Sequence, residues 1–367
     1  MEKTDKAAIA AWKNEALVGR KEVTTEGITP AKSEPRKIVF MTESLSDLPD
    51  FIKNREDIIV LDNPIILEKP GTNISGQSTS GSFDADSFAV LAEKVENDGY
   101  VTKTSLPTIY DSGDSTPSVE WYTRESLEEG YDVIYLATNS AITGSYENII
   151  QLYANEFNDC EGRVLCVDTQ CASTGLAFLI MLILDEYDNG KLKTIHDVEK
   201  FVLDTRASIG QIFTWDNFTY IRNSGKVSGI TASLGHILKI FGVGSVEYTI
   251  NGQRPLTTLG KVKGRLRRNR RIARFVAETI ADENGTIIIA HGNNRETALS
   301  IQSFLMELLP NAHFLISADA DTTKNRGGWR CGAAIQAHGG PTSIHVNYLR
   351  RVPNTYAESR KLFQSLQ

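Results

Sequence analysis

Between Lys37 and about residue 190, short runs that are apolar at nearly every position alternate with longer segments whose apolar residues recur at helical spacing. KIVFM, DVIYLAT and RVLCVDT are of the first kind; SYENIIQLYANEF and TGLAFLIMLILDEYDNG are of the second. A strand apolar on both sides has to be covered on both, and parallel neighbours need a crossover between them. The pattern therefore predicts an α/β fold with a parallel sheet clad by helices. After residue 190 it changes. QIFTW, SVEYTING and QRPLTTLGKV read as strands, antiparallel in part, and GTIIIAHG and AHFLISADA as further strands. KVKGRLRRNRRIARFVAETI and RETALSIQSFLMELL read as helices between them. At 367 residues the chain is long enough for two cores. The expected organisation is a tail and linker over 1–36 that includes a short helix, a parallel α/β domain over 37–200, and a mixed-sheet α/β domain over 201–367. Within these, DIIVLDNPII reads as one strand and KPGTNISGQSTSGSFDAD as a long loop. VTKTSLPTIYDSGDSTPSVEWYTRESLEEG reads as a loop and then a helix, and GAAIQAHGGPTSIHVNYL as a strand, a Gly-Pro turn and a strand.

Charge and composition exclude some functions. A formal net charge of −7 argues against a general nucleic-acid or membrane-surface binder. The longest apolar stretch, LAFLIMLIL, is far short of the ~20 residues a membrane-spanning helix needs. The N-terminus has no apolar core of signal-peptide type. Cys160, Cys166, Cys171 and Cys331 form no C-x-x-C pair and no zinc spacing, no metal cluster stands out, and a cytoplasmic location is expected.

Small polar residues gather where strands end. MTESLSD follows the first strand, TNSAITGSY the strand ending at Ala137, and DTQCASTG the strand ending at Val167; TKTSLPT precedes a helix. Open parallel sheets bind ligands beyond the carboxyl ends of their strands. One such cluster is ordinary helix capping; four together suggest a pocket rim lined with donors and suited to an anion. No G-x-G-x-x-G follows a strand and no G-x-x-x-x-G-K-[ST] is present, so the anion expected is a small carboxylate or monoester rather than a nucleotide.

The same segments resemble, in order, the motifs of the DegV family of fatty-acid-binding proteins. KIVFMTESLSDLP is similar to the family's opening strand and Thr/Asp-Ser-x-x-Asp-Leu-Pro turn, and TSLPT to Thr-Ser-Gln-Pro-Ser with Leu106 in place of Gln. NSAITGSY resembles Ser-Ser-x-Leu-Ser-Gly-Thr-Tyr, with Asn139 for the first Ser. DTQCASTGLAF, YIRNSGKVSG and AHGGP resemble later family segments, with Ser224 and Lys226 replacing a Gly and an Arg. The resemblance implies a long-chain fatty acid in an apolar tunnel, its carboxylate held between two domains, and presentation to a separate fatty acid kinase. It implies no cofactor and no catalysis by this chain. Carried over, the ligand-binding positions are Thr104, Ser105, Ser140, Thr143, Gly144, Ser145, Lys226 and His338.

Each position also has a plainer reading. Ser140, Thr143 and Ser145 can cap the helix near Tyr146, and Thr104 and Ser105 can cap or line a loop. His338 can be a turn histidine, and His291, second in rank, a structural one. Asp168 reads as a sheet-end acceptor and Cys171 as packing. Lys226 would hold a carboxylate less tightly than arginine's fork. The basic run near 261–274 is a solvated face or a docking patch for an acidic partner, with nucleic acid a weaker reading. The rival to lipid binding is an α/β enzyme acting on a small phosphorylated or carboxylated metabolite, with His338, Asp168 and Lys226 as its chemical groups.

Overall fold

All six residues of β1 (Ile38–Glu43) are buried, because helices cover both of its faces. The computed structural model describes residues 35–72, 75–78, 92–113, 117–160, 162–217, 219–224, 240–249, 252–316, 331–351 and 355–366. β1 pairs in parallel with β2 (Ile58–Leu61) and β6 (Asp132–Ala137), and β6 with β7 (Val164–Asp168), giving the order β2-β1-β6-β7. Alternate residues serve opposite faces, as the two-residue strand period requires. Val39, Met41, Val133 and Tyr135 pack with residues of α2 (Val119–Glu128) and α3 (Ser145–Glu156). Ile38, Phe40, Ile134 and Leu136 pack on the other side with α4 (Thr174–Asp188) and α5 (Ile195–Thr205). After β1 the chain makes a 3-10 turn, Ser44–Ser46, and the short α1 (Asp50–Lys53).

A second sheet has the order β10-β9-β8-β13-β11-β12. It comprises β8 (Ile209–Trp215), β9 (Ile240–Val246), β10 (Leu256–Lys263), β11 (Thr286–His291), β12 (His313–Ile316) and β13 (Ile344–Leu349). Only β11 and β12 pair in parallel. One face carries α7 (Arg265–Thr279), α8 (Arg295–Leu308) and α10 (Tyr356–Ser365) over a core that includes Ile272, Phe275, Ile301 and Phe363. The other face meets α4. Ile209, Ile288 and Ala290 of this sheet belong to the same cluster as Ile38 and Leu136 of the first, so α4 lies between the two sheets. Its Leu176, Leu179 and Ile183 are fully buried. A third, antiparallel sheet joins β4 (Ser75–Ser78), β3 (Ile65–Glu68) and β5 (Val101–Thr104), beside α6 (Thr219–Asn223) and α9 (Ala333–Gly339).

The parallel sheet and the mixed sheet match the sequence expectation; several segments do not. DIIVLDNPII is two strands, broken where buried Asn63 bonds Glu43 and Ser44, and where Pro64 has no N–H to donate to a ladder. VTKT is a strand, as is SGQS within the expected loop, because both edges of β3 need partners. GAAIQAHG is a helix: its small apolar residues suit either period, and the surroundings decided. The strand expected at SVEYTING lies earlier, at Ile240–Val246. α10, opened by a Thr355–Glu358 capping box, was not anticipated. Of the tail over 1–36 only residues 35 and 36 are described, and the short helix expected there lies outside the described residues. In the basic run, Arg268 is wholly buried and Arg265 exposed, and both pair with Asp216, while Arg270 and Arg271 lie over the Phe304 and Phe363 rings.

Because α4 serves both sheets, truncating its centre removes packing from two layers. Leu179→Ala should cost about 2–5 kcal/mol in urea-unfolding free energy, against under ~0.5 kcal/mol for Lys191→Ala, on the exposed turn after α4.

Candidate functional site

The loops leaving β1, β5, β6 and β7 and the central strands β8 and β13 of the second sheet surround a cavity of about 350 Å³. Much of its wall is apolar: Leu45, Ile142, Phe213, Trp215, Ile221 and Ile335. Phe213 and Trp215 are alternate residues of β8 and so share one face of that strand. Thr104, Ser105, Thr138, Thr143 and Ser173 bring hydroxyl-bearing side chains to the lining, His338 and His345 bring imidazoles, and Gly144 borders it. Gly144 is the N-cap residue of α3, so the positive end of that helix dipole sits at the wall.

The rim is held from behind by Glu43, a carboxylate with no exposed surface at the end of β1. It accepts from Asn63 Nδ2 at 2.8 Å, Ser145 Oγ at 2.9 Å and the Thr138 N–H at 3.2 Å. Thr143 Oγ1 donates in turn to Ser145 Oγ and accepts from the Ser145 N–H. Asn63 Nδ2 also donates to the Ser105 carbonyl, which ties the TSLPT loop to the same carboxylate. Each donor offsets part of the desolvation cost of the buried charge.

His338 is placed by α9. Its Nε2 lies 2.9 Å from Thr104 Oγ1, and Thr102 Oγ1 donates to the Ala337 carbonyl, joining β5 to the helix. The helix stops at Gly340, where φ is +77° and an added Cβ would lie 2.5 Å from the Tyr220 ring. Only glycine meets both conditions.

Five of the eight sequence-selected residues, Thr104, Ser105, Thr143, Gly144 and His338, come together on the cavity wall. Ser145 lies behind it, bonded to Glu43. Ser140 turns to Asp168, donating through both its N–H and its hydroxyl, and is not among the lining residues. Lys226 lies outside the described residues. His291 ends β11 and does not line the cavity. Asp168 is a sheet-end acceptor, and Cys171 is core, its thiol pushed up to about 12 by burial. Reasoning from sequence passed over Glu43, Asn63 and the Phe213–Trp215 face. The buried acid at the end of an otherwise apolar strand was the available signal for the first.

A second polar group adjoins the same wall. Asp47, in the left-handed region at φ 50°, accepts from the Ser173 hydroxyl and, at 2.8 Å, from the Gly332 N–H. Ser173 Oγ is also 2.7 Å from His345 Nδ1. Burial raises the Asp47 carboxyl to about 7, against the partial lowering by Ser173 and Gly332. Burial also lowers His345 to about 3, leaving its imidazole neutral at physiological pH.

Fold and cavity together define a layered α/β protein whose cavity sets a hydroxyl- and imidazole-bearing wall beside an apolar one. The chain belongs to the DegV family: the family model, described as an uncharacterised protein of the DegV family, matches residues 37–324. The DegV domain-containing protein CPE0026 of Clostridium perfringens is 25% identical over 291 residues, covering 77% of this chain and 90% of its own. A fatty acid-binding protein of Thermotoga maritima is 27% identical over 211 residues, covering 56% of this chain and 65% of its own. Among solved structures, a DegV family protein of Eubacterium eligens loaded with heptadecanoic acid superposes with a TM-score of 0.66 at 12% identity, over 85% of this chain and 99% of its own. The fatty-acid-binding DegV family protein of Thermus thermophilus gives 0.65 at 21% identity, over 85% and 99%. No helix among the described residues is long and apolar enough to cross a membrane.

Asp47 gives this site a pH signature. A carboxyl whose folded value, about 7, exceeds the ordinary 3.8 holds its proton more tightly when folded. It therefore contributes stability that is complete below pH ~4 and lost as the pH rises through ~7. Asp47→Asn should flatten this part of the Tm-against-pH curve between pH 4 and 7 in EDTA-containing buffer. Parallel curves for the two proteins would show that Asp47 ionises normally.

Proposed function

We propose that this protein binds a long-chain fatty acid, with the carboxylate held at the rim and the acyl chain along the apolar wall. The observation that carries the reading is the Thr104–His338 pair at 2.9 Å beside Ser105, in a cavity otherwise lined by residues such as Phe213, Trp215 and Ile335. A carboxylate set there takes hydrogen bonds from hydroxyls, and from an imidazole that can carry positive charge. Membership of a family with relatives that bind fatty acids supports the same ligand. The energetics agree. Burying ~14 methylenes contributes on the order of 11 kcal/mol before ordering costs, at ~0.8 kcal/mol each, whereas the head group chiefly needs donors to replace water. A two- or three-carbon acid would leave the aromatic face unused.

Thr104, Ser105 and His338 are assigned to direct contact with the carboxylate, and the Gly144 end of α3 to its electrostatic support. Thr143 and Ser145 are assigned to the rim's internal scaffold, since each hydroxyl already donates within the protein. Ser140 is given no contact, because its hydroxyl is committed to Asp168. The chain acts as a binding subunit that offers the carboxylate to a separate kinase for conversion to an acyl phosphate.

Mass spectrometry of organic extracts from natively purified protein should give fatty acids of C14 to C18 in near-stoichiometric amount. A Thr104→Val/His338→Gln double variant should bind a fluorescent fatty acid at least tenfold more weakly, with Tm lowered by only a few degrees. Unaltered affinity would remove both residues from the site. Incubation with ATP, fatty acid and a fatty acid kinase should give acyl phosphate only when all components are present; product from this chain and ATP alone would refute the carrier role.

A further inference from the structure

Beside the cavity, Asp47, Cys331 and His345 bring one carboxylate oxygen, one sulfur and one imidazole nitrogen within 4.8 Å of one another. They come from separate elements: Asp47 follows the 3-10 turn after β1, Cys331 precedes α9, and His345 is the second residue of β13. All three are buried, at 6%, 1% and 3% exposure. We propose that these three side chains form a zinc site.

The donor set selects the ion. A thiolate and an imidazole beside one carboxylate suit zinc, whereas magnesium and calcium require oxygen ligands. The geometry is close to what zinc needs. Ligand atoms at about 2.0–2.3 Å from a tetrahedral ion stand roughly 3.3–3.8 Å apart, so the trio closes by on the order of 1 Å. The fourth ligand is water or Ser173 Oγ, which now hydrogen-bonds Asp47 and lies 2.7 Å from His345 Nδ1 and would have to move outward by about 0.6–1 Å to ligate. Edge-to-face packing on Phe213, at a centroid distance of 4.6 Å, fixes the His345 ring. Charge gives a further reason. Among the described residues the hydrogen-bond donors to Asp47 are a hydroxyl and a peptide N–H, and neutral dipoles offset a buried carboxylate only in part. A divalent ion would balance Asp47 and a Cys331 thiolate together. On binding, the Cys331 thiol passes its proton to solvent as the zinc–sulfur bond forms, so metal uptake releases acid. Ser173 and His345 both line the cavity, which puts the ion in the wall of the fatty acid site and ties the loop after β1 to the start of α9.

The test uses the full chain, free of any affinity tag and stripped with a chelator. Titration with cobalt(II) chloride should saturate at one equivalent and develop the thiolate-to-cobalt and d–d bands of a four-coordinate site, and zinc chloride should then displace them. Cys331→Ser should lose the sulfur band, with Tm in EDTA within a few degrees of the parent; Cys160→Ser should keep it. X-ray absorption of the zinc-loaded parent should show one sulfur and three nitrogen or oxygen neighbours, a readout that needs no variant. Absence of the sulfur band in the parent, its persistence in Cys331→Ser, or a zinc shell without sulfur would overturn the site and leave a metal-free hydrogen-bonded contact. Fatty acid content, read by extraction, is independent of this result.

Discussion

One helix is buried on both sides, and the rest of the architecture is arranged around that fact. α4 packs against Ile38, Phe40 and Leu136 of the parallel sheet and against Ile209 and Ile288 of the mixed sheet, within a single continuous core. A helix apolar all round has no stable place at a surface. The two sheets therefore have to lie on either side of it, and the loop that enters α4, Thr169 to Ser173, runs between them. The cavity opens at that entrance, bounded by Ala172 and Ser173 from the loop, Phe213 and Trp215 from one sheet, and Thr138 and Thr143 from beyond the other. The packing problem that α4 solves thus determines where a ligand can sit.

The polar chemistry at the entrance divides into two layers. Glu43 anchors Ser145, Asn63 and the Thr138 amide. Those groups in turn hold Thr143 and the TSLPT loop. The Thr143 hydroxyl and the Ser105 loop are thereby positioned by a carboxyl group buried behind the cavity wall. Buried carboxylates are tolerated only when well supplied with donors, and here the donors are the backs of the loops that form the rim. These bonds behind the rim fix Thr143 and the loop that carries Ser105.

Asp47, Ser173, His345 and Cys331 form a second polar group against the same wall, and the Asp47–Gly332 hydrogen bond beside it joins positions 285 residues apart. Its carboxyl is raised and its imidazole lowered by the same burial. With or without an ion, these contacts join the loop after β1 to the start of the helix that carries His338. The cavity wall and the inter-sheet junction are therefore built from the same contacts.

Much of this was written in the local pattern. Strands apolar throughout dictated a parallel sheet covered on both faces, and the polar clusters after β1, β6 and β7 marked the end at which the cavity lies. The fold class followed from periodicity, because burial on two faces and burial on one leave different spacings. What the sequence left open depended on direction and distance. GAAIQAH fits a strand or a helix equally well, and its contacts with β5 and the Gly340–Tyr220 approach made it a helix. Ser140 and Thr143 are the same kind of residue in the same loop, yet one bonds Asp168 and the other lines the cavity. Residue type states what a side chain can donate or accept; only the packed backbone decides toward what it points. The Asp47, Cys331 and His345 cluster was invisible for the same reason, since no spacing along the chain encodes atoms that meet only when α4 draws two sheets together.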